Sequence, residues 1–241
     1  MRKQKQFLDL CIINIANLVL ASAAIFAKLI PLGSFSIILG RSIVALPCVG
    51  VCCFLFNAFT KIRSVKHVVL CCLVGIFMGL HWAFFYESIK VSNVAVGVII
   101  IHVYPLITVV LETILYRLTL NKMQVFECCL VILGVFVISF TSLTVGSIYL
   151  GIFYGLIAAI FLAVRNILVK ELLQYYSPLF LMFFQLFITI LMFLPFNVQE
   201  LWLADSQSLY LILIVGILVS GLGHTMFVMS LRTLSAGTVG I

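Results

Sequence analysis

The chain has 241 residues, of which 65% are hydrophobic and 9% charged, with a mean hydropathy of +1.34. That composition excludes a water-soluble globular domain and describes an all-α polytopic membrane protein. A formal charge of +7 would suit nucleic acid only if the basic residues formed a patch, and here they stand at the ends of apolar segments.

A bilayer core about 30 Å thick needs about 20 apolar residues per helix, and the polar breaks in the chain leave segments of that length. Helices are predicted over 7–30, 34–57, 67–88, 93–115, 122–142, 147–170, 177–197 and 208–231. That is eight complete transmembrane helices, and the start of a ninth follows near Ser235. The first has a basic lead and a long apolar run without a small-residue cleavage site, so it reads as an uncleaved anchor. If the helices alternate, Arg2, Lys3, Lys5, Lys61, Arg63, Lys66, Arg117, Lys122, Lys170 and Arg232 share one side. On the other side only Lys90 sits in a connection. By the positive-inside rule the N-terminus of this multi-pass protein lies in the cytoplasm.

An internal repeat of a five-helix unit is expected, with an offset of 142 residues. Gly79, Leu80, Phe85, Ser88, Ile89 and Lys90 fall without a gap on Gly221, Leu222, Phe227, Ser230, Leu231 and Arg232. The same offset carries Ala16, Leu20, Ala21, Ile25 and Lys28 onto Ala158, Leu162, Ala163, Ile167 and Lys170. The weight rests on the Gly, Ser and basic matches. The units are 1–142 and 143–241, and the second copy would finish near 284, about 43 residues beyond Ile241. A five-helix unit is odd, so its second copy enters the membrane from the opposite face. Inverted repeats of this kind build secondary transporters, with substrate bound near the midplane between the halves.

Several short pieces resemble the drug/metabolite transporter superfamily, and within it the EamA-type permeases. They are Lys28 with Arg41, Ser88-Ile89-Lys90 followed by Ser92-Asn93-Val94-Ala95, Tyr104-Pro105-Leu106, Arg117-Leu118-Thr119-Leu120 and Gly134-Val135. The resemblance implies ten helices, both termini cytoplasmic, and transport of small solutes such as amino acids, nucleotide derivatives or drugs. Where that family commonly has Gly-Glu before the Arg, Leu115-Tyr116 stands here, which removes the ion pair such a Glu would make.

Charged groups inside apolar segments cost several kcal/mol and face cavities or partners. At about 1.5 Å per residue, Arg41 and His81 lie about 10 Å below the outer surface. Arg165, Gln185 and His224 lie about as deep from the inner one, giving two polar layers about the midplane. His81 and His224 are 143 positions apart, one more than the repeat offset. Arg41 either contacts an anion or carboxylate in the cavity or satisfies helix-end carbonyls. His81 either moves a proton or makes an interhelical hydrogen bond. His102 and Tyr104 stand beside Pro105, which frees a carbonyl and bends the helix at membrane depth. Glu112, near the inner face, is either a coupling carboxylate or a partner for Arg117. Glu87 and Lys90 form an interfacial pair at helical spacing. Lys28 and Lys170 sit near helix ends and snorkel.

The eight cysteines include the adjacent pairs Cys52-Cys53, Cys71-Cys72 and Cys128-Cys129, without C-x-x-C spacing. They read as free, buried packing thiols. Trp82, Phe84, Phe85 and Tyr86 read as packing and interface belt, with Trp82 as an alternative wall for a planar substrate. No cofactor or metal is expected. The expected partners are a small-molecule substrate, the lipid bilayer and a coupling ion or counter-substrate, with a homodimer left open and nucleic acid excluded. A membrane enzyme is the rival from another class, but no H-E-x-x-H, G-x-S-x-G or P-loop pattern is present. A second rival is a truncated or degenerate permease that inserts without transporting.

Overall fold

A computed structural model describes residues 2–117, 148–232 and 234, with positions 126, 129, 130, 133, 134 and 137 between them, and side chains from residue 10 onward. Every regular element among the described residues is helical. In chain order these are α1 (Arg2–Ala21), α2 (Ala23–Leu29), α3 (Ser34–Leu55), α4 (Val65–Val91), α5 (Val94–Ile101) and α6 (Tyr104–Tyr116). They are followed by α7 (Ile148–Leu172), α8 (Pro178–Trp202), α9 (Ser206–Ile214), a π-helical stretch (Val215–Gly223) and α10 (His224–Ser230). Together they make seven helices long and apolar enough to cross a membrane. The expected helix over 122–142 and the one beginning near Ser235 lie outside the described residues.

Local sequence explains where the spans begin. Ser64, Asn93, Ser177 and Asp205 each accept a hydrogen bond from the backbone N–H three residues on, at 3.3, 2.9, 3.1 and 2.7 Å, which satisfies an otherwise orphaned helical donor. Ser208, through its hydroxyl and then its amide, holds the Asp205 carboxyl below the usual carboxylate range, so this cap stays ionised at the helix N-terminus. The fourth span breaks at His102 and Val103, and Pro105 opens the helix that resumes there. The span over 177–197 runs further than expected, through Pro195 to Trp202.

Small residues decide which helices meet, because lipid is as apolar as leucine and close backbone approach supplies the attraction. Gly151, Gly155, Ala159 and Ala163 form a buried row at four-residue spacing on α7. Against it lies α4, whose Ser88 hydroxyl donates to the Gly151 carbonyl at 2.6 Å. Gly75 and Gly79 on α4 face α8, where a Cβ on Gly75 would come 2.8 Å from Ile188 Cγ2. Phe54, Phe196 and Trp202, by contrast, are exposed and suit a lipid-facing belt.

At Gly155 a Cβ would come 2.7 Å from Ile100 Cγ2. Gly155→Val is therefore expected to cost about 1–3 kcal/mol through overpacking. Ile160→Leu on the exposed side of the same helix should be close to neutral. Unfolding in mixed detergent micelles reads the difference, and equal stability of the two variants would refute the packing assignment.

The helices alternate in direction, so polar contacts gather at the two ends of the bundle. At one end Glu200 accepts from the Gly33 amide at 2.6 Å and from the Ser36 hydroxyl, while Lys90 donates to the Leu32 carbonyl. At the other end His67 Nδ1 and the Tyr176 hydroxyl lie 2.8 Å apart, and Lys66 pairs with Glu171 at 3.7 Å. Lys170 donates to the Leu234 carbonyl at that same end.

Candidate functional site

Between these ends lies a cavity of about 190 Å³, walled by residues from every described span except α8. Asn17 and Leu20 come from α1, Arg41 from α3, and His81, Trp82 and Phe85 from α4. The broken fourth span supplies Val98, Ile101, His102 and Tyr104. Leu162 on α7 and His224 and Phe227 on α10 close it.

Arg41 is the organising side chain. It is 0% exposed, and its guanidinium carbon sits 4.2 Å from the Trp82 ring centroid and 5.5 Å from that of Tyr86. Trp82 and Tyr86 are four residues apart on α4 and so share the face that receives it. Arg41 Nε donates to the Ser220 hydroxyl at 2.6 Å, and Nη1 donates to the Tyr86 hydroxyl at 2.8 Å. Its Nη2 has no partner among the described residues. The ion pair found among those residues, Lys66–Glu171, lies at one end of the bundle, so the buried charge has no carboxylate counter-ion among them. Such a charge is costly unless something else completes it.

The π-helical stretch explains how the seventh span serves this site. An i→i+5 turn inserts an extra residue and re-aims the side chains beyond it, and such insertions gather at functional sites. Here it delivers Ser220 to Arg41, and α10 then restarts at His224. Gly216 permits the approach, because a Cβ there would meet Val44 at 2.7 Å and the Arg41 carbonyl at 3.0 Å.

Trp82 Nε1 donates to His224 Nε2 at 3.0 Å, so that nitrogen is the acceptor and the proton of the neutral ring sits on Nδ1. His81 lies over Phe85, with ring centroids 6.2 Å apart and planes at 17°, and its Nδ1 donates to the Ala158 carbonyl at 3.1 Å. His102 Nδ1 bonds the Val98 carbonyl at 2.5 Å.

Five of the sequence candidates, Arg41, His81, His102, Tyr104 and His224, therefore share one cavity. Instead of forming separate polar layers, His224 joins Arg41 through Trp82. Arg165 and Gln185 are not among the lining residues. Arg165 Nε and Nη2 both donate to Gln185 Oε1, at 2.8 and 2.6 Å, and Nη1 donates to Asn166 Oδ1 at 2.9 Å. They form a buried clasp between α7 and α8. Glu112 is half-buried on α6 without an ion pair among the described residues. Lys28 is exposed, and Lys90 and Lys170 satisfy carbonyls.

Sequence reasoning missed Tyr86 and Ser220 as Arg41's partners. The signals were present: Tyr86 is one turn from Trp82, and Ser220 stands among Gly216, Gly221 and Gly223. Tyr86→Phe should leave Nη1 unsatisfied at a cost of about 1–3 kcal/mol. Thermal unfolding in detergent tests this, and an unchanged midpoint would mean that Nη1 finds another acceptor.

Residues 8–140 and 149–241 match the EamA-like transporter family. An uncharacterized transporter of Bacillus subtilis (strain 168), YxxF, is 27% identical over 235 residues, covering 94% of this chain and 74% of that protein. A solved crystal structure, described only as that of a protein, superposes with a TM-score of 0.73 at 12% identity. The superposition covers 98% of this chain and 83% of that one, and it supports the fold alone.

Proposed function

Because this chain belongs to the EamA-like transporter family, we propose that it moves a small metabolite across the cytoplasmic membrane by alternating access through the Arg41 cavity. The family match and the seven apolar spans among the described residues make it a multi-pass membrane transporter. The observation that carries the alternating-access reading is the buried Arg41 guanidinium, lining a cavity between spans of both halves with hydrogen-bond donors unspent.

An inverted repeat of units 1–142 and 143–241 supplies the moving parts, and the packing supports it. Under the 142-residue offset, α4 against α7 corresponds to the π stretch and α10 against α1, and both pairings occur. The α3–α8 contact is its own counterpart. Trp82 meets His224, which stands 142 positions later. A residue touching its own counterpart lies at a two-fold axis. At the bundle ends, Glu200 holds Gly33 and Ser36, while Ala58, 142 positions before Glu200, accepts from Ser177 at 3.2 Å. Halves related in this way can rock about the axis and open the cavity to either face.

Arg63 and Lys66 lie at the same end of the bundle as Lys170, and positive-inside bias favours that end, with the N-terminus, in the cytoplasm. Glu112 is a coupling-carboxylate candidate. Its half-burial without an ion pair among the described residues supports that role.

Everted membrane vesicles from cells with and without the intact gene test the proposal. Preloaded with cell metabolites, they should show gene-dependent counterflow of at least one small solute. Identical counterflow profiles in the two preparations would overturn the transport reading.

A further inference from the structure

We propose that the cavity selects a small apolar monocarboxylate over zwitterions, organic cations and dianions, a proposal that rests on the reading of this cavity as the transport site. A guanidinium carries five N–H donors in a planar fork. Arg41 spends one on Ser220 and one on Tyr86, which leaves three, two of them on the unpartnered Nη2. The two unspent N–H groups of Nη2, with the one remaining on Nη1, can give charge-assisted hydrogen bonds to a carboxylate. Such a ligand would also supply the counter-ion that the described residues do not.

The remaining walls decide against other charge types. No Asp or Glu is among the described lining residues, so an ammonium group entering the cavity would be desolvated without a carboxylate partner among them. A zwitterionic amino acid pays that penalty at one end even when Arg41 satisfies the other. Arg41 is the one Lys or Arg among the described lining residues, so a dianion would leave a second charge without a Lys or Arg partner among them. Trp82, Phe85, Leu162 and Phe227 present apolar surface to the rest of the solute. Size follows from the volume: a cavity of about 150 Å³ holds benzene, and about 190 Å³ accommodates one ring with a carboxylate.

The test is equilibrium binding of radiolabelled benzoate to the full chain in lipid nanodiscs, with phenylalanine, benzylamine and phthalate as competitors. Saturable binding is expected, displaced by unlabelled benzoate and at least tenfold less well by the three competitors. Arg41→Ala should weaken it at least tenfold. Because loss of a buried guanidinium can also disturb folding, Leu162→Trp provides a second arm, filling the cavity while leaving Arg41 in place, and it should also abolish binding. Retention of benzoate binding by a folded Leu162→Trp protein would overturn the proposal. So would competition by phenylalanine or benzylamine equal to that of benzoate, or the absence of saturable benzoate binding. If any of these results accompanies gene-dependent counterflow in vesicles, the monocarboxylate class fails and the transporter reading stands. If counterflow is absent as well, the transporter reading fails with it.

Discussion

Arg41→Ala is expected to abolish transport while the protein still inserts and packs. Truncating one member of a desolvated, hydrogen-bonded charge pair costs about 2–5 kcal/mol, which corresponds to about a 30-fold or greater loss of affinity for an anionic solute. The fold should tolerate the change better than the activity does. Arg41 has no carboxylate partner among the described residues, so its removal strands no opposite charge in the membrane. It orphans only the Ser220 and Tyr86 hydroxyls, and these can accept from water in the enlarged cavity. Vesicle uptake together with the amount of inserted protein reads both sides. Undiminished uptake by a normally inserted variant would remove Arg41 from the solute path.

Trp82→Ala should be the more damaging change to the fold. Trp82 is among the largest fully buried side chains, at 1% exposure, and large-to-small changes at buried aromatic sites cost about 3–5 kcal/mol. It also supplies the ring face under Arg41 and the N–H bound by His224. Trp82→Phe separates these roles. A smaller ring remains beneath Arg41, while His224 Nε2 loses its donor at a cost of about 1–3 kcal/mol. Guanidinium position and transport should therefore survive in Trp82→Phe and fail in Trp82→Ala. Equal damage from both would assign the dominant role to the Trp82–His224 bond.

Segment lengths were legible in the sequence because bilayer thickness sets them, and each described span lies close to its expected range. The polar residues of the cavity were legible for the same reason, since Arg41, His81, His102 and His224 interrupt otherwise apolar segments. Their mutual arrangement was not. Depth along a helix locates a side chain on one axis only, so His224 was expected in a layer apart from Arg41. The π-helical stretch supplies the missing rotation. Its Gly-Ile-Leu-Val-Ser-Gly-Leu-Gly sequence, residues 216–223, signals close packing but does not disclose an i→i+5 turn. Arg165 was read as a cavity residue because a buried charge always attracts that assignment. Gln185 lies at a similar depth on α8, and a neutral amide can occupy a guanidinium as fully as a ligand can. Trp82 had the opposite difficulty. Among neighbouring aromatics it looked like packing, although it stands 142 positions before His224 and the two residues meet.

The most direct test of transport through this cavity is access to it from both faces of the membrane. Leu162, on the cavity wall and outside the Arg41 cluster, is replaced by Cys in a chain whose eight native cysteines have been exchanged for Ser or Ala. A membrane-impermeant thiol reagent is then applied to right-side-out and to everted vesicles. Labelling of Leu162→Cys in both preparations, slowed in each by a transported solute, is the predicted result. Labelling from one face only, or from neither, would contradict alternating access at this site.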